Sequence, residues 1–165
     1  MSVDSTSERA SANAIRLVDY QSPDYTTETV ELRFDIKDGK TEVHSRLHVR
    51  RCKDDASELL LDGQELELTS VKVDGRALSG NEYSVDAETL RIPKLDLEHD
   101  VEIVTVIKPE DNTALEGLYK SSQMYCTQCE AQGFRKITYY QDRPDVLACF
   151  TTTIIADSDR YPTLL

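Results

Sequence analysis

Hydrophobic and polar residues alternate along much of the chain with a period of two, which is the period of a β-strand. The segment 28–37 shows it first, with apolar positions at Val30, Leu32, Phe34 and Ile36. After a K-D-G-K turn, the segment 41–51 resumes the alternation. The two segments therefore predict half-buried strands that pair as an antiparallel hairpin.

Short apolar runs continue at regular spacing, separated by turn residues, at 58–61, 66–73, 83–85, 89–92, 101–107 and 150–155. Within 66–73 the alternation slips by one residue at Thr69 and Ser70, which predicts a β-bulge. Almost no segment has the 3.6-residue period of a helix. The pattern predicts an all-β fold, an antiparallel β-sandwich.

The domain organisation is simple. Residues 1–14 are polar and are expected to form a disordered leader, whereas 15–165 form one β-sandwich domain. A chain of 165 residues suits one domain that buries about two thirds of its unfolded surface. Because the sequence stops on an apolar run with no cap, we expect it to be truncated before a further domain.

The net charge is −12, from 31 acidic and 19 basic residues. Nucleic-acid binding needs a basic face, so this balance argues against it. No apolar run approaches the ~20 residues that cross a bilayer, and the leader lacks the features of a secretory signal. These observations predict a cytoplasmic protein that binds neither nucleic acid nor membrane.

Residues 125–150 combine polar, aromatic and sulfur-containing side chains without a repeating period. If 128–130 is extended, Gln128 and Glu130 leave the backbone on one face. Gly133 then permits a sharp bend with positive φ. The segment predicts a shaped loop or strand end that places a carboxylate, with the amide beside it if the segment is extended.

Two structural expectations accompany this loop. Arg135, Arg143 and Asp142 are expected to form a salt bridge that braces it. Tyr139 and Tyr140 are neighbours in a short strand, so one is expected in the core and the other facing outward or toward the remainder of the protein.

The same stretch carries a resemblance. The runs C-T-Q-C-E-A (126–131), G-F-R (133–135), I-T-Y-Y (137–140) and D-R-P-D-V-L-A (142–148) are similar to the N-terminal domain of bacterial aminopeptidase N, a family of alanyl aminopeptidases among the gluzincin zinc peptidases. N-T-A-L-E-G-L-Y (112–119) and Y-Q-S-P-D-Y (20–25) extend it to roughly 15–165. It implies the saddle-like β domain of that family.

The resemblance implies an enzyme of peptide catabolism that removes single residues from free peptide N-termini. In the family, zinc is held by H-E-x-x-H and a later glutamate, and this sequence lacks that motif. We therefore expect no catalytic residue and no metal ligand in this chain, zinc only in the full-length enzyme, and a fragment that is inactive alone. His44 and His48 have the histidine spacing, but a strand would separate them by roughly 13 Å.

The C-E-A match implies that Glu130 anchors the α-ammonium group of the substrate, together with a glutamate of a G-A-M-E-N motif beyond residue 165. The resemblance likewise implies that the matching glutamine, Gln128, lines the first substrate pocket. The implied partners are a peptide with a free N-terminus and the catalytic domain of the same protein.

Two other interpretations remain open. The chain could be a stand-alone all-β interaction module that acts through 125–150 without catalysis. Cys126 and Cys129 form a C-x-x-C that could be a redox pair or half a zinc site, although a βαβ context and a second close cysteine pair are both missing. Reduced thiols are expected. An aminopeptidase domain predicts an exposed apolar patch near 125–150 and at the C-terminus, where partner domains dock.

Overall fold

The computed structural model describes residues 17–93 and 95–164, so the predicted leader at 1–14 lies outside the described residues. The described strands are β1 (Tyr25–Lys37), β2 (Lys40–Arg51), β3 (Glu58–Asp62), β4 (Glu67–Val73), β5 (Arg76–Ala77), β6 (Ser84–Val85), β7 (Thr89–Pro93), β8 (Glu98–Ile107), β9 (Gly117–Ser121), β10 (Met124–Gln128) and β11 (Cys149–Ile155). Two 3-10 turns, η1 (Leu17–Asp19) and η2 (Phe134–Lys136), complete the elements. The all-β prediction is confirmed.

The strands form three sheets. The largest has the order β11-β1-β2-β8-β4-β5, a second has the order β3-β7-β6, and β9 pairs with β10. The predicted hairpin is confirmed, because β1 and β2 are antiparallel with Lys37 opposite Lys40. The predicted bulge is confirmed by the register shift between Leu68 and Ser70. The pairing of β11 with β1 is parallel, unlike the other strand pairs of the described sheets.

One apolar cluster joins the two larger sheets. Val43 and Leu47 of β2 and Ile103 of β8 belong to the same buried cluster as Leu59 and Leu61 of β3, and all five are fully buried. Alternate residues on the large sheet point outward and carry charge, as the period of two requires. Within 17–93 and 95–164, no helix is long and apolar enough to cross a membrane.

The segment 137–141 enters the core without forming a strand. Its backbone bridges Asp62 only at Tyr140, and all five of its residues are buried. Tyr139 and Tyr140 are both buried, at 2% and 5% exposure, so the expectation that one faces outward is wrong. An irregular backbone does not alternate its side chains, and Gln141 completes the anchorage by donating to the main-chain oxygen of Tyr25 at 2.7 Å.

Candidate functional site

The candidate site is the turn 129–133, between the β9–β10 hairpin and η2. In the hairpin Gln128 lies opposite Gly117, and β10 ends there. Glu130 therefore lies in the turn, and the prediction that Gln128 and Glu130 share one face of an extended strand is wrong. The amide Nε2 of Gln128 instead donates to the main-chain oxygen of Glu130 at 3.2 Å. The Glu130–Ala131 peptide bond is cis.

The Glu130 side chain is exposed. Within the described part of the chain, its carboxylate has no hydrogen bond or ion pair. An ionised carboxylate in this state keeps all its acceptor sites for a cation from outside, and charge-assisted hydrogen bonds of that kind are strong. The turn can thus offer an unpaired negative charge to a ligand.

Gly133 ends the turn, but not with the positive φ that the sequence suggested. Its φ is −85°, which any residue adopts, so that prediction is wrong. The residue is buried instead, and its main-chain N–H donates to the oxygen of Cys129 at 2.8 Å. Glycine is required here by space, a signal that a local sequence pattern does not carry.

Arg135 fixes η2, just after the turn, to Asp142. Its Nε donates to the Asp142 carboxylate and its Nη2 to the Asp142 main-chain oxygen, both at 3.0 Å. The side chains are 15% and 12% exposed, so this is a nearly buried ion pair. The Asp142 main-chain N–H also donates to the carboxylate of Asp62 at 3.0 Å. The predicted brace is confirmed for Arg135 and Asp142.

Arg143 does not belong to that brace, contrary to expectation. It donates two hydrogen bonds, at 2.8 and 2.7 Å, to the carboxylate of Asp145. These bonds lower the pKa of Asp145 to about 2. A third donor, the hydroxyl of Tyr20 at 2.9 Å, joins the same carboxylate, so this pair attaches the chain before β1 to 143–145.

The strand that leads into the turn is fixed from the other side by Tyr125. Its hydroxyl donates to Glu110, and burial together with this bond raises the pKa of Tyr125. The ring of Tyr125 packs edge-on against the ring of Tyr161, with 5.2 Å between the ring centroids. The Lys120 ammonium lies 5.1 Å from the centroid of Tyr125 and donates to the Tyr161 hydroxyl at 3.2 Å. The segment after β11 is thereby joined to the β9–β10 hairpin.

The cysteines and histidines form no comparable centre in the described chain. All four cysteines are free thiols, and burial raises the pKa of Cys129. His44 bonds the carboxylate of Glu42 in β2 at 2.7 Å, and His48 bonds that of Asp100 in β8 at 2.9 Å. Residues 17–93 and 95–164 contain no group of three or more His, Cys, Asp or Glu side chains that could hold a metal.

The similarity to known proteins covers nearly all of the described chain. The profile of the Peptidase M1 N-terminal domain matches residues 21–165. The chain belongs to this family. This chain is 43% identical over 150 residues to aminopeptidase N of Haemophilus influenzae, and the alignment covers 89% of this chain and 17% of that protein. Aminopeptidase N of Escherichia coli is 44% identical over 147 residues, with 89% and 17% covered.

Solved structures support the same placement of the M1 N-terminal domain. Legionella pneumophila aminopeptidase A, in complex with aspartic acid, superposes with a TM-score of 0.85 and 33% identity, over 92% of this chain and 18% of that one. An M1 zinc metallopeptidase of Deinococcus radiodurans, bound to a Tyr-Ser-Ala substrate, superposes with a TM-score of 0.66 at 14% identity, over 79% and 32%, and shares the fold. The chain spans less than a fifth of the length of the curated relatives described above.

Proposed function

We propose that this chain is the N-terminal β domain of a zinc aminopeptidase, and that Glu130 binds the α-ammonium group of a peptide substrate while Gln128 lines the first pocket. The observation that carries the proposal is the exposed Glu130 carboxylate, which has no partner among the described residues and stands on a braced turn. The relatives named aminopeptidase N support the activity.

The chemistry of the substrate fits this assignment. An enzyme that removes N-terminal residues has to distinguish a free α-ammonium group from the internal amides of a peptide. A carboxylate does so because it accepts charge-assisted hydrogen bonds from the ammonium group. Its attraction for a cation is greatest when no protein cation neutralises it first.

The zinc of such an enzyme does not fit the residues present here. The described residues supply no set of three candidate ligands, and the sequence has no H-E-x-x-H. We therefore assign the metal and the bond-breaking chemistry to the remainder of the protein. This domain contributes recognition of the substrate.

Exposed apolar residues favour a domain that packs against more protein over a stand-alone module with a polar exterior. Every residue of the edge strand β11 is exposed. Phe150, Ile154 and Ile155 in that strand are 48%, 42% and 41% exposed, and Leu147 just before it is 85% exposed. Apolar surface of this kind marks a docking face, which we assign to the catalytic domain of the same protein.

Kinetics of the full-length enzyme test the assignment of Glu130. Changing Glu130 to Ala or to Gln is expected to lower kcat/KM for a peptide with a free N-terminus by about 30- to 1,000-fold, the loss from breaking a charge pair that bound substrate and the catalytic domain together remove from water. Glu88 is the matched control, since it is an exposed glutamate in the turn before β7, and Glu88→Ala should leave kcat/KM unchanged. Wild-type kinetics in both Glu130 variants would show that another group binds the amine.

A further inference from the structure

We propose that Gly117 and Gly133 are positioning residues for Glu130: their backbones pack against each other and thereby set the place of the turn that carries this carboxylate. The proposal rests on the function proposed above for Glu130. It adds two residues that touch no substrate and act only through the turn.

The two glycines meet at a distance that excludes a side chain. A Cβ added at Gly133 would lie 2.4 Å from the main-chain oxygen of Gln128 and 3.1 Å from the main-chain nitrogen of Gly117. A Cβ added at Gly117 would lie 2.8 Å from Cβ of Lys136 and 3.1 Å from the main-chain oxygen of Gly133. Both glycines are buried, so the hairpin and the turn touch backbone to backbone.

The two positions differ in why they need glycine. Gly117 has a φ of +71°, which disfavours any side chain whatever the space around it. Gly133 has an ordinary φ of −85°, so alanine there is opposed only by the contact. Gly133→Ala therefore tests the close packing of Gly133 against the backbones of Gln128 and Gly117 without adding backbone strain.

If a side chain is added at Gly133, the turn 129–133 is the part of the structure that can move to make room for it. The nearest atom to the added Cβ belongs to the backbone of Gln128, which cannot rotate away as a side chain would. Behind Gly133, the ion pair of Arg135 with Asp142 holds η2 in place. In front of it, Glu130, Ala131 and Gln132 are exposed. Added volume at position 133 is thus relieved by outward movement of the turn.

The size of that movement follows from the contact distance. Opening 2.4 Å to the 3.0 Å below which real Cβ contacts are essentially never found requires at least 0.6 Å. A misplacement of about 1 Å can cost about 100-fold in rate. For Gly133→Ala we therefore expect kcat/KM to fall about 10- to 100-fold, through weaker recognition of the α-amine.

The experiment is a double-mutant cycle in the full-length enzyme, with Gly133→Ala, Glu130→Ala and the pair together. Gly80→Ala is the matched control, because a Cβ there has no atom within 4 Å; we expect it to keep wild-type kcat/KM. If Gly133 acts through Glu130, Gly133→Ala lowers kcat/KM in the wild-type background but by less than about threefold when Glu130 is already Ala. A merely structural role gives the same fold loss in both backgrounds and overturns the proposal.

The outcomes separate the two proposals. A loss with Glu130→Ala and none with Gly133→Ala overturns the positioning role alone, whereas no loss with Glu130→Ala overturns the recognition role. If Gly133→Ala does not fold, a comparison of Lys136→Ala with Lys136→Gly takes its place. Both variants lose the lysine ammonium group, but alanine keeps the Cβ that lies next to Gly117 and glycine removes it. A severalfold lower kcat/KM for Lys136→Gly than for Lys136→Ala, absent in the Glu130→Ala background, supports the proposal, and equal values overturn it.

Discussion

Two arginines near the candidate turn make the same kind of ion pair in different surroundings, and replacing each with Met should have very different effects on stability. Arg135 and Asp142 have side-chain exposures of 15% and 12%. Arg143 and Asp145 have exposures of 37% and 26%. Met keeps the apolar stem of an arginine but removes its charge and its donors. Each substitution therefore removes the ion pair together with one hydrogen bond to a main-chain oxygen, that of Asp142 for Arg135 and that of Gln21 for Arg143.

The expected magnitudes follow from burial. Removing one member of a buried pair costs about 3–5 kcal/mol, because the other charge stays buried without its partner. Asp142 keeps one charge-independent donor, the main-chain N–H of Arg135 at 3.2 Å, so we expect Arg135→Met to lower the free energy of unfolding by about 3 kcal/mol. The exposed pair of Arg143 is largely screened by water, and its loss should cost about 0.5–1 kcal/mol.

Urea unfolding of the 165-residue domain measures both values. The chain has no Trp, so far-UV circular dichroism and Tyr fluorescence follow the transition. With a urea dependence of about 2 kcal/mol/M for a domain of this size, Arg135→Met should lower the midpoint by about 1.5 M and Arg143→Met by less than about 0.5 M. Equal shifts, or a larger one for Arg143→Met, would refute the argument from burial.

Three further predictions follow from the same structure. Leu61→Ala should destabilise the domain by about 3–5 kcal/mol and Leu60→Ala by less than about 1 kcal/mol, because Leu61 is fully buried and Leu60 is 42% exposed; urea midpoints compare them. Gly63→Ala should lower the melting temperature, since the new Cβ would lie 2.3 Å from the buried ring of Tyr139. Hydrogen bonds from the guanidinium of Arg143 lower the pKa of Asp145 from 3.8 to about 2, so NMR should show this carboxylate titrating near 2. The stability that the ionised Asp145 adds to the fold is present above about pH 4 and is lost as the pH falls through 2.

The strands could be predicted from the sequence because the large sheet buries one face and exposes the other. Val30, Leu32 and Phe34 point into the core while Glu31 and Arg33 point outward, so the hydrophobic pattern and the register carry the same information. The parallel pairing of β11 with β1 could not be predicted, because the alternation within a strand does not determine which other strand it pairs with.

The local geometry of the turn 129–133 could not be predicted from the sequence for a different reason. Gly133 is required by its close contact with the main-chain oxygen of Gln128, five positions earlier, and by the looser contact with Gly117, sixteen positions earlier. Both contacts depend on how the hairpin folds back on the turn, which no pattern of residue types records. Tyr139 and Tyr140 are both buried because their segment is irregular, which suspends the rule that neighbours in a strand face opposite ways. Motif similarity selected Glu130 and Gln128, whereas alternation gave the wrong reason for their proximity.

The pairing of the acidic residues separates a candidate for recognition from those that brace the fold. Among 31 acidic residues, composition gives no reason to choose Glu130. Of the three in 125–150, Asp142 bonds Arg135 and Asp145 bonds Arg143, so the charges of both are already neutralised by protein cations. Glu130 alone of these three has no partner within the described chain. Because backbone packing, rather than an ion pair, sets the position of the turn, the proposed anchor keeps its full charge for a ligand.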